Sequence, residues 1–525
     1  MGTSRRPGRL QRIAFDATPL NSAQPDIDAR IGWLLAMLRL HGADPQFLDG
    51  RMFTEALADA GVPVSRSLLS RWESGEIPIS YEGMSAYERA LGLEPGRISS
   101  LTAYIRGSLP SVRTRVVRPK LDPSTREFAE RFDELLDLAE DGNARARDWQ
   151  ELGWYLAAAP MIHLRARTWK VLTHQLVTEL PLSVKLAYRQ YMTAALQMAA
   201  VQRAQDFMVD AIAAYVTDPD VQVITNPVGL LDRLPTRDSA RLVLDIIERP
   251  PTSSAFTLGV WLATQKVTQG HFTAEERSQL DMLVLKLWRA NPAKAGEDLA
   301  ELIAGLPEGM RSTLVDAATR AGRRKLGYVV EHGEEMVASR ARVIAHTMAE
   351  AARRRVSAAP PYDEDKMLSR LIREALFHRD SERRHLAALL ISASPFHEAV
   401  TDELLLMLAE TGNPPALRTR SATLVRYLGS DVHRMRMLPL LEDPNEDVAV
   451  PIAQGFGHLS HATTSDQQLR ASLGAEWSLR ERAKMYALGM TGSEGLAAIA
   501  RSTTAPGWQK SAARWWIAHG PAIRS

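Results

Sequence analysis

The chain has 525 residues, 45% hydrophobic and 24% charged, with 64 Lys and Arg against 62 Asp and Glu and no cysteine. A chain of this size predicts two to four domains, at roughly 100–200 residues each, and its composition predicts a soluble globular class. The lack of cysteine excludes disulfides, thiolate metal sites and cysteine nucleophiles and fits a reducing cytoplasm, while no uncharged apolar run reaches the length of about 18 residues that a membrane-spanning helix needs.

The N-terminal segment Met1-Gly2-Thr3-Ser4-Arg5-Arg6 is basic but leads into no apolar stretch, so no secretory signal is expected. Arg5, Arg6, Arg9 and Arg12 stand among Gly, Pro and Ser without helical period, and residues 1–25 are read as a basic disordered arm. Structure is expected from Asp26. Ile27, Ile31, Leu34, Leu35 and Leu38 recur on one helical face, and Gly42 and Pro45 end that helix. A second helix runs to about Ala60, a turn follows at Gly61-Val62-Pro63-Val64, and Ser65 opens a short helix that stops at Gly75. A further helix begins near Ser80 and ends at Leu91-Gly92. Residues 26–107 thus form a first helical domain. Residues 108–123 hold Pro110, Pro119 and Pro123 with Arg113, Arg115, Arg118 and Lys120, the composition of a linker.

Residues 124–365 read as a helical region. Ser124 and Glu127 have capping-box spacing, and Phe128, Phe132, Leu135, Leu136 and Ala139 mark one buried face. Residues 366–525 hint at repeats. Ala387–Leu390, Ser421–Leu424, Ile452–Phe456, Lys484–Leu488 and Ser511–Trp515 each resemble the first helix of a pair, with Asn413-Pro414 and Asp443-Pro444 at the joins. Near-constant spacing of such pairs predicts an α-solenoid of HEAT type; a plain helical bundle is the alternative. The fold class is therefore all-α: an N-terminal helical domain followed by a long helical region. Trp515-Trp516 is read as core closing the last pair, with stacking on a ligand as the less favoured role.

The segment Ser65-Arg66-Ser67-Leu68-Leu69-Ser70-Arg71-Trp72-Glu73-Ser74-Gly75 is the most informative. Ser65 is placed to cap the free amides of the first turn, and Gly75 to close the helix in the left-handed conformation. At about 100° per residue, Leu69, Trp72 and Ser65 cluster on one side, with Leu68 at its edge, and Ser67, Ser70, Arg71 and Ser74 on the other. A short, doubly capped helix with apolar anchors and outward Arg and Ser has the attributes needed to enter a major groove, where Arg can grip guanine O6 and N7. The basic excess agrees: residues 1–120 hold 16 Lys and Arg against 12 Asp and Glu, a net of 16 − 12 = +4, against 48 − 50 = −2 for the remainder.

This segment resembles the second half of the helix-turn-helix in Cro and phage-repressor-like (Xre-type) regulators, and Tyr87-Glu88-Arg89-Ala90-Leu91-Gly92-Leu93 is similar to the helix that follows in large bacterial members. The resemblance covers about residues 26–107. It implies a sequence-specific transcriptional regulator of double-stranded DNA, a homodimer, cytoplasmic and associated with the nucleoid. It implies that Arg66 and Ser67 stand where base edges are read, that Ser70 and Arg71 lie one turn further, and that Ser65 and Ser74 flank the helix beside the backbone. It implies that Glu73 pairs with an arginine of the first helix, with Arg39 as candidate. One departure matters: the segment Gly42–Arg51 is longer than the family's short connection, so the phosphate-binding residue at the start of the second helix has no assigned place.

No catalytic residue, metal ligand or cofactor is expected. His433, His458, His461 and His519 lack metal-ligand spacing, and no Walker loop, GxSxG or HExxH is present. Arg353-Arg354-Arg355 and the run Arg320 to Lys325 are read as solvated helix faces. The helical C-terminal region is expected to serve dimerisation, a small effector or a protein partner. A competing reading makes the chain a helical-repeat interaction scaffold whose N-terminal module reads no sequence.

Overall fold

The computed structural model describes residues 13–22, 24–109, 118–217, 220–223, 225–250, 253–290, 299, 302–303, 306, 308–317, 328, 331–334, 336–357, 362 and 364–524. Among these the chain is all-α, as expected; β pairing is limited to isolated bridge residues, among them a parallel bridge between Ser183 and Ile523. No helix among the described residues is long and apolar enough to cross a membrane. The chain divides into two units, one of residues 1–118, 336–378 and 382–460, the other of residues 119–335, 379–381 and 461–525.

The first unit begins with α1 (Ile27–Leu40), a 3₁₀ turn at Pro45–Leu48, α2 (Gly50–Asp59), α3 (Arg66–Glu73), α4 (Tyr81–Ala90) and α5 (Ser99–Ser108). The boundaries follow local chemistry. Asp26 caps α1 by accepting from the amide of Ala29 at 3.0 Å, Ser80 caps α4 through Gly83, and the glycines at 61, 75 and 92 close α2, α3 and α4 with positive φ. The fifth helix starts on a buried acid instead: the carboxylate of Glu88 accepts from the amides of Gly96, Ile98 and Ser99 at 2.7–2.8 Å.

The sequence predicts one buried face on α1, and the structure buries every residue of the helix except Asp28. Arg30 sends both terminal nitrogens to Glu374, at 2.8 and 2.6 Å, on the helix Lys366–Phe377. The indole of Trp33 donates to Asp365 at 3.0 Å, and its ring stacks on Phe396. A helix covered on all sides is the core of its unit, and this one sits between α3 and the segment 362–396. That is why residues 336–378 and 382–460 join the N-terminal helices in one unit rather than standing with the regions in which the sequence reading placed them.

Part of the segment expected as a disordered arm is structured. Residues 1–12, including Arg5, Arg6, Arg9 and Arg12, lie outside the described residues, but residues 13–22 pack on the unit. Asp16 is fully buried and accepts from Arg30 at 2.8 Å, Leu20 O lies 2.9 Å from Nε2 of His378, and Ser22 O accepts from Arg383 at 2.9 Å. In the expected linker, Arg113 and Arg115 lie outside the described residues, Arg118 and Lys120 are exposed, and the boundary between the units falls at Arg118.

The second unit opens with the helices Arg126–Glu140, Ala146–Ala158, Ala166–Glu179 and Lys185–Ala199. Phe128, Phe132, Leu135 and Ala139 are buried as expected, and Leu136 is half-buried. The cap, however, is Thr125, which accepts from the amide of Phe128 at 3.2 Å, not Ser124. The Ser124 hydroxyl and amide are both taken by Asp122, so the helix begins one residue later. Of the five repeat segments expected in the C-terminal part, those at 387–390, 421–424 and 452–456 fall on helices Ser381–Ala393, Pro415–Leu428 and Glu446–Gly457 and belong to the first unit, whereas those at 484–488 and 511–515 fall on Leu479–Met490 and Gly507–His519 in the second. Trp515 and Trp516 are buried, and Trp516 lies flat on Gly489, where a Cβ would fall inside the indole.

Candidate nucleic-acid interface

The third helix is short, and both ends are held. Ser65 has an extended backbone and its hydroxyl accepts from the amide of Leu68 at 3.1 Å. At the other end the amide of Ser74 bonds to Ser70 O, and Gly75 takes φ +74°. Leu69, Trp72 and Glu73 are buried; Ser65, Arg66, Ser67, Ser70, Arg71 and Ser74 are exposed. All six candidate contact residues are thus accessible, including Ser65, which the helical period alone puts on the side of Leu69 and Trp72.

What seats the helix is backbone contact with α1. A Cβ added to Gly32 would lie 2.7 Å from both Trp72 O and Gly75 N, and one added to Gly75 would lie 2.5 Å from the Cα of Ala29. Only hydrogen at both positions permits this approach, and at Gly75 the positive φ adds a second reason for glycine. The contact is locked by Arg39, whose Nε and Nη2 donate to Glu73 at 2.5 and 2.7 Å, while Tyr87 OH donates to the same carboxylate at 2.7 Å. The pairing of Glu73 with Arg39 is the one the family resemblance implies. Burial alone would lower the Arg39 pKa; the bonds to Glu73 override it and hold the guanidinium above its ordinary value. Burial first, and then Glu73, push the Tyr87 phenol well above its ordinary range.

Arg39 also explains the long connection before α2. Its Nη1 donates to Phe47 O at 2.7 Å, which holds the 3₁₀ turn Pro45–Leu48 against α1. The start of α2 is then capped by Asp49, exposed and accepting from the amide of Arg51 at 2.9 Å. Arg51 itself pairs with Glu55 at 2.8 Å. An acid therefore stands at the start of α2, where the sequence reading assigned no phosphate-binding residue.

Two features lay beyond the sequence reading. Glu76 is exposed and accepts from Arg71 Nε at 2.9 Å; it follows the glycine that ends the helix, and no periodicity points to it. The second is the charge of the module itself. Residues 26–107 hold eight arginines, no lysine and eleven Asp and Glu, a net of 8 − 11 = −3. Three of the eight arginines are buried in ion pairs: Arg30 with Glu374, Arg39 with Glu73, and Arg106 with Asp28. The basic excess of residues 1–120 therefore lies entirely in residues 1–25 and 108–120.

Other constellations take structural partners. His433 approaches Ser430 and Glu398 O, His458 bonds Arg426 O, and His519 bonds Trp515 O. No group of three or more His, Cys, Asp and Glu among the described residues could hold a metal ion. Arg353 pairs with Glu350 and lies over the ring of Tyr362, and Arg355 pairs with Glu403. The run Arg320 to Lys325 lies outside the described residues.

No family model matches the chain, and no curated protein matches it. Among solved structures, the crystal structure of an engineered protein from the Northeast Structural Genomics Consortium is similar over 93% of this chain and 98% of its own, at 11% identity and a TM-score of 0.19. A likeness at that score carries no argument about fold or function.

Proposed function

We propose that the protein is a sequence-specific DNA-binding regulator in which α3 enters the major groove. The observation that carries this reading is the sorting of that helix. Its anchors Leu69, Trp72 and Glu73 are buried against a rigid neighbour, and Arg66, Ser67, Ser70 and Arg71 are left accessible on a rod capped at both ends. Arg71 reads guanine, Arg66, Ser67 and Ser70 contact neighbouring edges, and Ser65 and Ser74 lie beside the phosphates. Because one such helix reads few base pairs, the protein acts as a homodimer on paired half-sites. The helical remainder supplies the dimer contact and receives a small effector or a protein partner, in a cytoplasmic, nucleoid-associated setting.

The net charge of −3 on residues 26–107 favours a second reading, an interaction scaffold whose N-terminal module contacts protein. Selection of bound fragments from genomic DNA separates the two. Under the first reading the full chain retains fragments with a common motif, binding weakens steeply with salt, and Arg71→Ala lowers specific affinity by about 1–3 kcal/mol. Recovery of random fragments only, or titrations unchanged by Arg71→Ala, would refute it.

A further inference from the structure

The geometry points to Glu76 as a positioning residue that aims Arg71 at a guanine, an inference that rests on the DNA-binding reading above. The chain reverses directly after α3. Gly75 takes φ +74°, and the amide of Ile77 returns to Arg71 O at 3.2 Å. This reversal lays Glu76 alongside the side chain of Arg71, five residues back, with Oε1 2.9 Å from Nε. The two side chains remain 46% and 62% exposed, and a pair this open contributes little to folding. Its consequence is directional. A carboxylate bound at Nε fixes the plane of the guanidinium and leaves the Nη1 and Nη2 ends of the fork pointing away. Those are the donors that grip guanine O6 and N7 together. Holding the fork before binding removes part of the ordering cost of the contact. A carboxylate on a face that meets phosphates also carries a penalty, since it repels every DNA sequence alike.

The two effects have opposite signs, and this makes the role testable. The full-length protein is titrated with its selected fragment, with the same fragment changed at each G·C pair in turn, and with mixed-sequence DNA. A bidentate arginine contact discriminates by about 5- to 150-fold against the wrong base pair. Glu76→Ala is expected to reduce discrimination at the pair that Arg71→Ala identifies, by about threefold or more, while tightening binding to mixed-sequence DNA. Glu76→Gln keeps an acceptor for Nε without the charge; it is expected to restore discrimination and still bind mixed-sequence DNA more tightly. In the Arg71→Ala background, Glu76→Ala should leave discrimination unchanged. If Glu76→Ala preserves discrimination while Arg71→Ala abolishes it, the positioning role is wrong and the DNA reading stands. If the unaltered protein selects no motif at all, the DNA reading fails and this role falls with it. Equal weakening by Glu76→Ala on all DNA would also overturn it, since that is what a merely structural residue would do.

Discussion

Replacing Gly32 by alanine tests the seating of α3 most directly. Two opposing effects are at work. Alanine in the interior of a helix is intrinsically better than glycine by about 0.8–1 kcal/mol, so α1 alone would gain. Against that, the new Cβ would lie 2.7 Å from Trp72 O, 2.7 Å from Gly75 N and 2.9 Å from Glu73 O, whereas ordinary contacts begin at 3.4 Å. All three neighbours are backbone atoms of the end of α3 and its cap, so no side chain can swing aside. The helix must back away by several tenths of an ångström, which also stretches the Arg39–Glu73 pair. Overpacking of this kind costs about 1–3 kcal/mol, and the balance is a net loss of up to about 2 kcal/mol. Hydrogen exchange followed by mass spectrometry reads this locally: amides of residues 66–75 should exchange faster, by up to about 30-fold, the factor that 2 kcal/mol represents. Slower exchange there would mean that the backbones of α1 and α3 are not in contact, and the account of how the helix is held would be refuted.

Other consequences are equally direct. Residues 1–110 expressed alone should lack a cooperative thermal transition, because Arg30 loses Glu374 and Trp33 loses Asp365; a sharp transition in circular dichroism would contradict the shared core. Lys266 is fully buried with its ammonium on Leu234 O at 2.7 Å, and burial lowers its pKa from 10.5 to about 8 despite Asp232 and Glu276. Between pH 8 and 10.5 the folded chain therefore holds fewer protons than the unfolded one, so stability rises with pH by up to about 3 kcal/mol across that window. Lys266→Met should flatten this rise in urea melts, and an identical slope in the variant would exclude the lysine as its source. Deleting residues 1–12 removes Arg5, Arg6, Arg9 and Arg12 and should make log affinity fall less steeply with log salt while mismatch penalties stay the same. Equal slopes with and without the segment would leave these arginines no part in binding.

The amino-acid order alone determined what is settled within a few residues of chain. Ser65 caps α3 because its hydroxyl reaches an amide three residues on, Gly75 closes it because only glycine takes φ +74° there without strain, and Leu69 and Trp72 point inward because the helical period places them together. Where local partners compete, even this level slips by a residue, as at Ser124, which Asp122 claims before the helix can. Charged side chains are another matter. Arg30 and Asp16 read as surface residues in any window of sequence, since burying a charge is costly unless a partner of opposite sign is supplied. For Arg30 that partner is Glu374, 344 residues away, and the pair turns a one-faced helix into the covered core of its unit. Glu76 reaches Arg71 only because the chain reverses in space, so no helical spacing announces it. Caps, turns and helical faces were thus written in the sequence, because their energies arise between near neighbours. The shared core around α1 and the pairing of Arg71 with Glu76 were decided by the tertiary structure, because their energies arise only when distant or reversed segments meet.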